Sequence, residues 1–267
     1  MIVLPDQTWD VLAIEAIAAK MEEYKRHNWR IHSGKVFFKH RRAFYHLRAA
    51  QDAVRTMVST MHSVRLAKGE DIVFSSYSGP LSEILFFHLD GFLEATRASY
   101  DALLSFLISA EVLPHSSTTS MNDFTKLARK SPHRTTTDPV EITEQLLQFW
   151  SDTGERAKNY RDCLTHYVTL SGPTWTTSVM MIGRTSGWTP YMPWPDNPDS
   201  KTHAKFTYNK RLDAIVYCAE VYREFDILLR RLVLDCLVKW DVSTIENEFS
   251  FTSIISLGGE DSVLIAS

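Results

Sequence analysis

Arginine, aspartate and histidine stand within six residues of one another in the stretch KNYRDCLTHYVTL, as Arg161, Asp162 and His166. These types suit cleavage of an RNA phosphodiester without a metal. One group must take the 2′-hydroxyl proton and another must protonate the leaving 5′-oxygen. An imidazole titrates near neutrality and can do either. Negative charge builds on the phosphoryl oxygens, and an arginine meets it with a planar fork of donors and a permanent charge. If the stretch is helical, five residues subtend about 500°, so the two side chains flank a groove about 140° apart. The competing reading is structural. Arg161 would bridge to Glu155 or Asp162, and His166 would face the C-terminal end of its helix dipole.

The element that carries this pattern is one of several helices. Asp138-Pro139 offers an N-cap and a proline at the first helical position, and Ser171-Gly172-Pro173 ends the periodic run. Upstream, apolar periodicity predicts a helix from about Thr8 to Trp29 and a second from near Ser33 to Leu66. The segment from Asp71 to Pro80 reads as a break, marked by Ser, Gly and Pro. A third helix follows from about Leu81 to Val112, with Leu85, Leu89, Phe92, Ala95, Ser99, Leu103, Phe106 and Ala110 as its core stripe. Residues 115–137 read as a crossing loop with a short helix near Asn122–Arg129. Residues 174–208 differ, since β-branched and aromatic residues flank a turn and proline-rich loops follow; they predict a small β-hairpin insertion. A last long helix runs from about Asn209 to Trp240. The stretch Phe249–Ile255 suits an edge strand, and residues beyond Gly258 suit a frayed end. The expected fold is mainly α: one domain over residues 1–267, a bundle of four to five long helices with a β-hairpin at 174–208.

The R-x4–6-H pattern, with a polar residue directly after the arginine and a late position on a bundle helix, resembles that of HEPN domains. The resemblance rests on RDCLTH at Arg161–His166 and on the helical layout. It implies an α-helical, commonly dimeric protein and a metal-independent endoribonuclease of the kind found in toxin–antitoxin and defence systems. It also implies Arg161 and His166 as catalytic groups, with Asp162 orienting or polarising its neighbours. An antitoxin or regulatory protein would be a further partner. In toxins whose tyrosine is modified by a nucleotidyltransferase, that tyrosine lies two residues after the histidine. Val168 stands there in this chain and Tyr167 comes one earlier, which argues against such a switch.

Charge is unevenly placed. From Lys20 to Lys68 there are twelve Lys and Arg against Glu22, Glu23 and Asp52, a local +9 in a chain of net −3, which leaves −12 for the rest. Arg41, Arg48, Arg55 and His62 recur every seven residues and so form one row on a helix. Such a row admits an RNA backbone, with Tyr167 to stack on a base. It equally admits a solvated face paired with acidic helices. On the third predicted helix Asp90, Glu94, Arg97 and Asp101 share a face, as a salt-bridge row or as the lining of a polar pocket. The pocket would make those carboxylates acid/base groups of a small-molecule enzyme.

Other signatures are missing. No phosphate-binding glycine loop, nucleophile elbow or HExxH occurs. No metal or other cofactor is expected, because the histidines lack ligand spacing; His88 beside an apolar stripe reads as a packed core residue. No apolar run reaches membrane-spanning length. Cys163, Cys218 and Cys236 form no CxxC pair and, without an export signal, read as reduced thiols in the cytoplasm. Two functions follow: a metal-independent endoribonuclease acting on RNA, or a non-catalytic helical protein that binds a partner or assembles as a homodimer.

Overall fold

A computed structural model describes residues 8–61, 72–113, 118, 120–130, 140–166, 178–184, 187–200 and 205–242. The chain is mainly α with a small antiparallel sheet, as expected. Its helices are α1 (Thr8–Lys20), α2 (Glu23–Met61), α3 (Pro80–Ser109), α4 (Met121–Lys130), α5 (Val140–Phe149), α6 (Glu155–His166) and α7 (Ala214–Lys239). A π-helical turn, Trp150–Gly154, joins α5 to α6. The strands are β1 (Ile72–Ser78), β2 (Ser178–Arg184), β3 (Gly187–Tyr191), β4 (Pro193–Trp194) and β5 (Leu212–Asp213). The edge strand expected at Phe249–Ile255 and the frayed end beyond it lie outside the described residues.

The chain divides into two compact units. One comprises residues 1–38, 99–147 and 226–267. Its core is aromatic at the centre. Trp29 is fully buried, its ring lies 5.0 Å from that of Phe106, and its indole N–H donates to the Ile14 carbonyl at 2.9 Å. Phe37 meets Phe106 edge-on at 6.0 Å. The single helix expected over residues 8–29 is two. The chain breaks at Met21-Glu22, where the Arg26 guanidinium donates to the carbonyls of Ala18 and Met21 at 2.8 and 3.0 Å. A side chain thereby satisfies the carbonyls that the end of α1 leaves open. Leu12 and Tyr24, apolar residues on either side of the break, are 51% and 66% exposed. Helix α4 opens on an N-cap in which the Ser120 hydroxyl accepts from the Asp123 N–H at 3.1 Å and donates to the Asp123 carboxylate at 2.8 Å.

The other unit comprises residues 39–98 and 148–225. Residues 72–78, read as a break, form β1. It pairs antiparallel with β2 from Ile72 opposite Arg184 to Ser78 opposite Ser178. Strand β2 in turn pairs with β3, which confirms the hairpin and makes a sheet of order β1-β2-β3. The last helix begins five residues later than expected. Asp213 is its cap and accepts from the Ile215 and Val216 N–H groups at 2.9 and 3.0 Å and, with its other oxygen, from Met192 at 2.9 Å. Trp194 is buried, 5.6 Å from the Tyr217 ring of α7, so this aromatic of the 174–208 insertion serves packing.

Candidate functional site

Helix α6 turns one face inward. Ala157, Tyr160 and Cys163 are buried, following the buried Trp150 and Gly154 of the π turn. In that turn the Glu155 N–H reaches back five residues to the Trp150 carbonyl. A Cβ on Gly154 would stand 2.7 Å from the Trp150 ring, so glycine lets the ring fold against the turn. Tyr160 fixes the register of α6. Its hydroxyl donates to the Pro195 carbonyl and accepts from Arg156 at 3.2 Å, while its ring lies 4.7 Å from Trp194 and 4.9 Å from Tyr217. Burial pushes its phenol up to about 12, despite the opposing Arg156. Tyr160 is therefore a packing residue and a neutral one.

With the inner face so held, Arg161, Asp162 and Lys158 fall on a flank that is about one-quarter to one-third exposed. The Arg161 guanidinium donates twice to Glu94 of α3, Nε to Oε1 at 2.9 Å and Nη2 to Oε2 at 3.2 Å. Its Nη1 donates to Asp162 at 3.2 Å, and Lys158 holds the other Asp162 oxygen at 2.8 Å. Partial burial works against the Arg161 charge, but Glu94 and Asp162 outweigh it and its pKa rises. Burial also pushes the Asp162 carboxyl upward, yet Lys158 and Arg161 together hold it below the ordinary value. Asp90 behaves oppositely. Burial and then the Glu94 charge raise its pKa, with Arg161 pulling it back.

The structure thus joins Arg161 to Asp162, the bridge that the structural reading expects, and adds Glu94, which neither reading named as a partner. The sequence flagged Glu94 only as a member of the polar row on α3. That row is drawn toward other elements: Glu94 to Arg161, Arg97 over the Trp150 ring at 5.6 Å, and Asp101 to the Met121 N–H of α4 at 2.9 Å. His166 closes α6, but its side chain lies outside the described residues, as does Tyr167. Of the basic row on α2, Arg48 and Arg55 converge on Asp52 at 3.8 and 2.6 Å, while Arg41 is exposed. His62 lies outside the described residues.

The cysteines Cys163, Cys218 and Cys236 are buried and unbridged, and burial raises each thiol pKa. Among the described residues, no group of three or more His, Cys, Asp or Glu could hold a metal ion. No described helix is long and apolar enough to cross a membrane. Comparison with protein-family models, with curated proteins and with solved structures gives no match.

Proposed function

We propose that this chain is a HEPN-like, metal-independent endoribonuclease in which Arg161 binds the scissile phosphate and His166 moves the proton. The observation that carries the reading is the mounting of Arg161. Glu94 grips one edge of the guanidinium with both oxygens, so the side chain is oriented before any substrate arrives. A guanidinium has five N–H donors. Three are engaged among the described residues, which leaves two for a phosphate at a partly exposed position. His166 follows about 7.5 Å further along the helix axis, by the rise of an α-helix.

In the reaction the 2′-oxygen forms a bond to phosphorus and loses its proton. The bond from phosphorus to the 5′-oxygen breaks, and that oxygen gains a proton. The products are a 2′,3′-cyclic phosphate and a 5′-hydroxyl. A homodimer would set two Arg161/His166 pairs about one phosphate, as the resemblance implies, with one imidazole as base and the other as acid.

The test is cleavage of RNA in the presence of a chelator. Wild type should yield 2′,3′-cyclic phosphate ends, and His166→Ala should lose about 100-fold or more of the rate, the usual worth of general acid–base catalysis. Equal rates in the two proteins, or none in either, would remove the nuclease reading. One observation favours the second reading, a non-catalytic binding module: two carboxylates already offset the Arg161 charge. In that case both proteins are inert towards RNA and remain folded.

A further inference from the structure

Independently of that flank, two imidazoles meet in the unit of residues 39–98 and 148–225. His46 of α2 and His88 of α3 place their Nδ1 atoms 3.1 Å apart, and His46 is only 8% exposed. The sequence offered His88 as a packed core residue; the structure leaves it half-buried and gives it a specific partner. Position 91 of α3 is shaped to this contact. A Cβ built on Gly91 would stand 2.5 Å from Cε1 of His46 and 2.7 Å from its Nδ1, so the ring lies directly on the α3 backbone.

An N–H···N bond needs one hydrogen between its two nitrogens. Two neutral imidazoles meet that need with opposite tautomers. One added proton is also accommodated, because an imidazolium N–H still finds a lone pair on its neighbour. A second proton is not. It sets N–H against N–H and brings two positive charges together in a part-buried contact. Among the described residues, the charges that act on His46 are those of His88 and Arg42, and neither is negative. From α2 come Arg42, whose charge opposes protonation, and Tyr45, whose ring lies 5.4 Å from His46 and 6.0 Å from His88. From α3 come Phe87, 5.6 Å from His88, and Gly91.

We propose that His46 and His88 form a pH-sensitive latch between α2 and α3, closed while the neutral pair has taken up at most one added proton and released when a second is added. Burial, then His88 and Arg42, lower the His46 pKa below its ordinary value. In the window below about 6.5, the unfolded chain therefore binds more protons at this position than the folded one. The latch's contribution to stability is complete above that value and is lost as the pH falls through the lowered one.

The experiment compares wild type with His88→Gln, which cannot take up a proton. The urea midpoint is measured from pH 7.5 to 5, and the His46 Cε1–H resonance is titrated in each folded protein. The wild-type midpoint should fall with pH, and a clear part of that fall should be absent in His88→Gln. In wild type the two rings should titrate as a coupled pair with His46 below its ordinary value; in the variant His46 should titrate in one step at a higher pH. Equal pH slopes together with independent, ordinary titrations of both rings would overturn the latch. The resonance reads the pair directly even if the variant is less stable overall.

Discussion

Glu94 changes what Arg161 is. An arginine alone on a helix flank would sample many rotamers; gripped along one edge, it holds a single orientation. That grip is a matter of position more than of stability. Both side chains are part-exposed, so solvent screens the pair, and Glu94→Gln should cost only about 1 kcal/mol in urea unfolding. A loss of about 3 kcal/mol or more would show that the pair behaves as a buried one. At Gly91 two effects oppose each other. Alanine gains up to about 1 kcal/mol in helix propensity. Its methyl group would meet the His46 ring inside ordinary contact distance, which costs about 1–3 kcal/mol as overpacking. The clash should win, so Gly91→Ala is expected to lower the unfolding midpoint.

At the scale of the element, the same substitution on another helix should have the opposite sign. Gly34 lies in the interior of α2, and nothing stands within 4 Å of where its Cβ would be. There only the backbone entropy and propensity terms act, and Gly34→Ala should stabilise the protein by about 0.5–1 kcal/mol. Measuring the two variants side by side separates helix propensity from packing. The helix ends follow the same local logic. Glu111 and Asp241, just beyond α3 and α7, adopt left-handed φ values of 59° and 51°. Behind each, a backbone N–H turns back to an open helix carbonyl: Val112 to Leu107 and Val242 to Leu237, both at 3.0 Å. No glycine marks either stop, which is why periodicity alone ran α3 on to Val112.

For the whole molecule, the relevant quantity is where charge is already offset. The twelve cations of the Lys20–Lys68 stretch are partly offset, by Asp52 from within and by acidic residues outside it. Asp52 takes up Arg48 and Arg55, Glu15 pairs with Arg30, and Glu111 pairs with Lys25. On the proposed function, RNA affinity should therefore rise for Asp52→Asn, which unmasks the Arg48 and Arg55 charges, and fall for Arg55→Ala. In a salt titration, removing one cation that binds a phosphate should flatten the slope of log K against log salt by about 0.7–0.9. No gain in affinity for Asp52→Asn would mean that Asp52 does not shield its neighbours.

What the sequence determined by itself is what depends on neighbours along the chain. The α3 stripe of Leu85, Leu89, Phe92, Ala95, Ser99, Leu103, Phe106 and Ala110 is buried at every position, because a 3.6-residue period forces those side chains onto one face. The hairpin was legible in the same way, from two β-prone runs around a short turn. The tertiary structure alone decided the contacts between segments distant in sequence. Strand β1 exists because β2, about a hundred residues later, supplies its hydrogen-bond partners, and a Ser-rich run carries no local sign of that. Glu94 and Arg161 are 67 residues apart, and His46 and His88 are 42. Each of those side chains could have faced solvent with equal local propriety, and only the packing of one helix beside another brings its partner within reach.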